Sequence, residues 1–176
     1  MNRLLCTATL LLIGLAGGCA GGGRYVSTPL EGDVFEVQSK LYVVGARWGR
    51  PEVWFIAPPD WGTNQRMLQS EIDEYEKGED IWEDVWKIYG TLKAGDRIRV
   101  AKSNWVEAGS AFSGYLTRAE VLTGPYAGEQ LDLHGLVLSR QTDKPVENWN
   151  PYEDPAPSPQ QWQLDPRYLQ KVGGDE

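Results

Sequence analysis

The chain has 176 residues, with 17 basic and 25 acidic side chains and a formal charge of −8 at pH 7. Its length suits one domain, and its negative charge makes binding to nucleic acid and electrostatic adsorption to anionic membranes unfavourable. Both cysteines, Cys6 and Cys19, lie near the start of the chain. The remaining residues therefore offer no thiol for a disulfide, a zinc site or a nucleophile.

Residues 1–18 have the layout of a signal peptide. Arg3 is followed by an apolar stretch and then by small residues before Cys19. The apolar stretch is shorter than the roughly 20 residues that cross a bilayer. The segment Leu-Ala-Gly-Gly-Cys that ends at Cys19 resembles the lipobox of bacterial lipoproteins, although alanine and not leucine stands three places before the cysteine.

That resemblance implies cleavage before Cys19 and transfer of diacylglycerol to its thiol, with further acylation by chains such as palmitate. Two or three acyl chains, at about 0.8 kcal/mol per buried methylene, would hold the protein at a membrane. By the same resemblance Ala20 implies the outer membrane, with the domain facing the periplasm. Residues 19–30 would be the lipidated end and a flexible tether, because three glycines follow Ala20. The alternative is an ordinary secretory signal with a chance cysteine at its cleavage site.

Residues 31–142 are predicted to form a single β-rich domain. Residues 33–46 and 52–57 are rich in β-branched and aromatic side chains, which favours strands. The alternation of polar and apolar residues over 97–101 predicts another strand, preceded by a turn at Ala-Gly-Asp.

Two helices are predicted between these strands. The first begins near Thr63, carries Ile72 and Tyr75 on its apolar face and stops at Gly78. The second covers residues 82–89, where apolar residues recur at helical spacing.

Strands near 112–122 and 129–138 are predicted to form a hairpin, because Gly-Pro-Tyr-Ala-Gly between them is typical of a tight connection. The fold class is therefore predicted to be mainly β. We expect a small SH3-like or OB-like barrel with a short helical insertion over about residues 64–89.

Residues 143–176 are predicted to form a Pro-rich C-terminal tail, because six of the eleven prolines fall there. The alternating prolines over 155–159 favour extended polyproline structure. A short helix is predicted after Pro166, and aromatic residues of the tail, among them Trp162, are candidates to pack it against the domain.

No residue set predicts an enzyme. The chain has one histidine, His134, in a predicted strand, where a polar or partly exposed position explains it without catalysis. No serine stands in a Gly-x-Ser-x-Gly motif, and the acidic residues over 79–84 lack the spacing of a calcium loop. We therefore expect no catalytic residue, no metal and no cofactor.

Tryptophan is the one residue type that suggests ligand binding. Trp48 and Trp61 lie in loop-like contexts, and Asp60 precedes Trp61. Exposed indoles beside a carboxylate suit sugar stacking, but they suit a packed corner of the core as well.

Two functional hypotheses follow. The first is a non-enzymatic, membrane-anchored envelope lipoprotein that contacts an envelope protein or a peptidoglycan-proximal partner. The second is a glycan-binding or small-molecule-binding module that uses Trp48, Asp60 and Trp61.

Overall fold

The computed structural model describes residues 24–46, 54–61, 72–78, 86–108, 112–146 and 157–173. Their structure is mainly β, as the sequence predicts, with a short helix α1 over residues 72–77. The strands are β1 Arg24–Val26, β2 Val34–Val37, β3 Leu41–Ala46, β4 Trp54–Ala57, β5 Trp86–Leu92, β6 Arg97–Ala108, β7 Phe112–Val121, β8 Gln130–Leu133, β9 Val137–Ser139, β10 Trp162–Leu164 and β11 Leu169–Gly173.

Most strands belong to one nine-stranded mixed sheet. Its order is β11-β2-β6-β7-β8-β4-β3-β5, and β1 pairs with β6 beside this path. The pairs are antiparallel except for β4 and β8, which are parallel. A small second sheet pairs β10 with β9. Among the described strands, β11 and β5 end the larger sheet and do not pair with each other.

The core follows from strand alternation. In β6, Ile98 and Val100 are buried whereas Arg97 and Arg99 are exposed, which confirms the strand predicted there. The main cluster is completed by residues from both sheets, including Val37, Leu41, Val43, Ile56, Leu92, Val121, Leu131, Leu133, Leu136 and Trp162. Full burial of such side chains contributes about 1.5–3 kcal/mol each before the entropy cost of folding.

A second, smaller cluster lies on the other face of β3. Tyr42 and Val44 point into it, together with Phe55, Ile72 and Ile88. Ile72 and the partly buried Tyr75 confirm the predicted apolar face of α1. The predicted stop is also confirmed, because Gly78 has a positive φ of 72° and donates its N–H to the carbonyl of Tyr75 at 3.1 Å.

The second predicted helix is wrong over residues 86–89, which belong to β5 and pair with β3. In this strand Ile88 packs into the second cluster and Leu92 into the main cluster, because the register with β3 shifts between Val43 and Val44. Gly90 is required because Tyr126 packs where a β-carbon would stand. Tertiary pairing with β3 therefore overrides the helical period of these residues.

The hairpin predicted around residues 124–128 is confirmed. β7 and β8 pair on either side of it, and both Gly124 and Gly128 have positive φ values of 86° and 92°. Residues 137–139, the end of the second predicted strand, instead form β9 of the small sheet.

The helix predicted after Pro166 is wrong, because residues 169–173 form β11 beside β2. The described residues of the predicted tail also supply core side chains, since Trp162 is 0% and Leu169 is 2% exposed. At the other end, the predicted tether contains β1 and the buried Leu30. Both ends of the described chain therefore pack into the same core.

Candidate functional site

Two of the residues singled out in the sequence, Cys19 and Trp48, lie outside the described residues. The other two, Asp60 and Trp61, belong to the turn that follows β4. Because β4 and β8 are parallel, their carboxyl ends meet at one edge, and this turn lies beside His134 and Gly135. We call this arrangement, together with the turn of residues 165–168, the Asp60 corner.

Trp61 is partly buried at the margin of the second core cluster. The centre of its indole lies 5.1 Å from that of Phe55 and 5.3 Å from that of the His134 ring, which it meets edge to face. It also covers Gly135 so closely that a β-carbon there would overlap the indole. Trp61 thus has the contacts of a packed corner.

Asp60 ties the turn after β4 to the C-terminal part of the chain. Its carboxylate accepts a hydrogen bond from the Tyr168 hydroxyl at 2.8 Å and one from Arg167 Nη1 at 3.0 Å. Desolvation, reinforced by the bond to Asp60, raises the pKa of Tyr168 to about 12. The Asp60 carboxylate is therefore engaged within the chain.

Asp165 is the buried centre of the same turn, at 1% exposure. Its Oδ2 accepts a hydrogen bond from Arg167 Nη2 at 2.6 Å, and its Oδ1 accepts the Arg167 backbone N–H at 3.0 Å. The bonds to Asp165 raise the pKa of the Arg167 guanidinium, which stays charged. Arg167 thus bridges a buried carboxylate and the exposed Asp60.

His134 packs its ring on Phe55, with ring centres 4.4 Å apart, and its backbone N–H donates to the carbonyl of Ile56 at 2.9 Å. Burial lowers the pKa of His134 to about 4, although the nearby Asp132 opposes this shift. Asp132 itself accepts a hydrogen bond from Arg118 Nε at 3.0 Å. At neutral pH the imidazole is uncharged and forms part of an aromatic cluster.

The acidic residues over 79–84 lie outside the described residues. Within the described ranges, no group of three potential His, Cys, Asp or Glu ligands is placed to hold a metal ion. In the same ranges, no helix is long and apolar enough to cross a membrane.

A separate concave surface lies between the edge of the large sheet and the small sheet. It is an open groove of about 750 Å³, which we call the β10–β11 groove. Its lining residues come from segments far apart in the chain. They are Pro29, Leu30, Asp33, Phe35, Gln38, Arg140, Gln163, Leu164, Pro166, Leu169, Gln170 and Lys171.

The groove combines a buried apolar floor with polar side chains, some of which have no internal contact. Leu30, Phe35 and Leu164 are each about 5% exposed and form the floor. Among the described residues, the side chains of Gln163 and Gln170 make no hydrogen bond. The sequence carries no signal for these residues, because nothing local distinguishes a groove glutamine from an ordinary surface glutamine.

No protein-family model, no characterised protein and no solved structure shows significant similarity to this chain.

Proposed function

We propose that this chain is an envelope lipoprotein, anchored through Cys19, whose β domain is a non-enzymatic module that binds a partner protein. The observation that carries the binding role is the β10–β11 groove, where an apolar floor lies beside the amide of Gln163, which has no internal hydrogen bond. The Gln163 side chain is partly exposed, so its amide can bond to a partner from outside. An apolar groove with a few polar groups at its border is typical of a binding surface.

The membrane anchor is supported by the sequence resemblance at residues 15–19. It is tested by the intact mass of the protein extracted from envelope membranes, compared with a Cys19→Ala variant. The expected wild-type mass begins at Cys19 and includes acyl chains, whereas the variant lacks them. Release of the wild type without detergent would contradict the anchor.

The interaction role is tested by photo-crosslinking in intact cells. Gln163 is replaced by the photoreactive amino acid p-benzoylphenylalanine, and Gln130, an exposed glutamine of β8 outside the groove, receives the same replacement as a control. We expect a discrete adduct from position 163 that is absent from position 130. No adduct, or equal adducts at both positions, would contradict binding through the groove.

A glycan-binding role at Asp60 and Trp61 is less well supported by the geometry. The carboxylate of Asp60 is bonded to Arg167 and Tyr168, and Trp61 covers Gly135. Stacking on a sugar needs an open aromatic face, which contacts of this kind occupy.

The finer fold type, an SH3-like or OB-like barrel, stays a prediction. It is supported by the shift in register between Val100 and Lys102, where β6 bends while pairing with β7. An experimental structure of the full chain tests it through the presence or absence of closure between β11 and β5.

A further inference from the structure

The groove offers a primary amide without an internal hydrogen bond, that of Gln163. A primary amide has N–H donors and a carbonyl acceptor, the same kinds of group that a peptide bond presents. Gln38 donates from Nε2 to the backbone carbonyl of Glu36 at 3.2 Å, and Gln170 pairs with Glu36 on the sheet face opposite the buried Phe35. Of the three glutamines that line the groove, Gln163 is therefore the one whose amide an incoming chain over the floor can use.

The backbone of β11 adds a second set of suitable groups. Gln38 donates its N–H to the carbonyl of Tyr168 at 2.8 Å, so the alternation of an antiparallel pair turns the N–H and carbonyl of Lys171 away from β2. The register shifts between Lys171 and Gly173, which ends this regular edge. Such a short edge supplies about two hydrogen bonds to the backbone of an added strand, and the Gln163 amide can supply further ones.

The charges in the groove favour a partner of negative charge. Lys171 Nζ lies 2.6 Å from Asp33 Oδ2, and these two charges balance each other. Arg140 also lines the groove and is exposed, and in the described part of the chain it forms no ion pair. The groove thus presents one unbalanced positive charge in a chain whose formal charge is −8.

We propose that the β10–β11 groove binds an extended peptide segment, and that an acidic side chain of this peptide pairs with Arg140. The peptide backbone bonds to Gln163 and to the outer edge of β11, while its apolar side chains cover the floor and the exposed Pro29 and Pro166 beside it. This inference rests on the proposed function, since it names the chemistry of the partner that the groove takes.

The lining favours a peptide over a sugar. Its one aromatic residue, Phe35, is 6% exposed, which leaves too little of its ring for a sugar to stack on. The exposed apolar residues of the lining are Pro29 and Pro166. Aliphatic surface of this kind suits alternate side chains of an extended strand, which point to one side with a period of two.

The test is a selection of random 12-residue peptides displayed on phage against the purified full chain. Three variants of the protein serve as parallel targets. Gln163→Trp fills the groove, Gln130→Trp is its control outside the groove, and Arg140→Gln removes the positive charge. We expect enriched peptides in which Asp or Glu recurs at one position. We expect Gln163→Trp to abolish the binding of these peptides and Gln130→Trp to leave it unchanged.

For an enriched peptide synthesised with Glu or Gln at the recurring position, we expect about tenfold weaker binding of the Gln form, since a charged hydrogen bond is lost. The Arg140→Gln variant should bind both forms alike, and Arg140→Lys should restore part of the difference.

The outcomes of these experiments distinguish binding through the groove from the pairing of the peptide with Arg140. If no peptide is enriched, or if Gln163→Trp binds the enriched peptides as the wild type does, both the groove function and the peptide proposal are overturned. If peptides bind through the groove but the Glu and Gln forms bind equally, the pairing with Arg140 is overturned and the groove function stands.

Discussion

The Asp60 corner and the β10–β11 groove differ in how their polar groups are used. In the corner, Arg167 bonds to both Asp60 and Asp165, and the Trp61 indole packs on Gly135. In the groove, the side chain of Gln163 makes no hydrogen bond to a described residue. The residue types that suggest a binding site are thus engaged in internal contacts in one region. In the other region an ordinary polar side chain is left without an internal contact.

The largest effect is expected at Gly135, on which the packing of the corner depends. Gly135 has a positive φ of 68°, and a β-carbon there would overlap the Trp61 indole. We expect Gly135→Ala to lower the free energy of unfolding by about 3 kcal/mol, from backbone strain and overpacking together. Urea denaturation followed by tryptophan fluorescence measures this loss.

Gly78→Ala is the matched control for that experiment. Its φ of 72° is nearly the same, but a β-carbon there would meet open space. Backbone strain alone should cost about 1–2 kcal/mol. Equal losses for the two variants would show that Trp61 does not pack on Gly135 as described.

Removal of the Asp165 carboxylate is expected to have the next largest effect. Asp165→Ala removes three kinds of hydrogen bond to Arg167, from Nε, Nη2 and the backbone N–H. We expect a loss of about 2 kcal/mol in the free energy of unfolding, less than for a fully buried pair because Arg167 keeps much of its hydration. Urea denaturation of the variant and of the wild type gives the difference in the free energy of unfolding that checks this value.

Asp60→Ala is the comparison within the same network. Its side chain is 46% exposed, so its ion pair is screened by solvent and should contribute less than about 1 kcal/mol. A larger loss at Asp60 than at Asp165 would contradict the central role assigned to the buried carboxylate.

The corner should also respond to acid through His134. Burial lowers its folded-state pKa from 6.5 to about 4, so below pH 6.5 the unfolded state binds a proton that the folded state does not. The contribution to stability is full above pH 6.5 and is lost as pH falls towards 4, by up to about 1.4 kcal/mol per pH unit. The free energy of unfolding, measured at several pH values between 6.5 and about 4, tests this dependence on pH.

His134→Gln isolates that effect from the titration of the carboxylates. We expect the variant to be less stable than the wild type at neutral pH, and this difference to shrink as the pH falls towards 4. A difference that stays constant over the window would mean that His134 titrates normally in the folded protein.

The smallest effect on folding is expected in the groove. Because the side chains of Gln163 and Arg140 form no hydrogen bond or ion pair with described residues, Gln163→Ala and Arg140→Gln should change the free energy of unfolding by less than about 0.5 kcal/mol. Thermal melts of both variants provide the check. A loss comparable to that of Asp165→Ala would remove the distinction between the two regions.

Much of the local structure could be predicted from local patterns. The alternation over 97–100, the Gly124 to Gly128 connection and the stop of α1 at Gly78 each depend on a few neighbouring residues. The same reasoning failed for residues 86–89 and for the segment after Pro166. In both places a strand forms because a distant strand, β3 or β2, supplies the partner.

The candidate site could not be predicted in this way. Gln163 and Arg140 are separated along the chain and come together only because β10 pairs with β9 and β11 returns to β2. Conversely, Asp60 and Trp61 carry a local signal of binding, but distant residues, Arg167 and Gly135, occupy them.

The sequence by itself determined the β-rich class, turns such as Gly124 to Gly128 and the buried faces of β6 and α1, because these follow from periodicity and backbone preference within about ten residues. Only the tertiary structure decided how β5 and β11 pair, and which polar side chains form no bond with the described residues. The physical reason is that strand pairing and hydrogen bonding depend on partners distant in the chain.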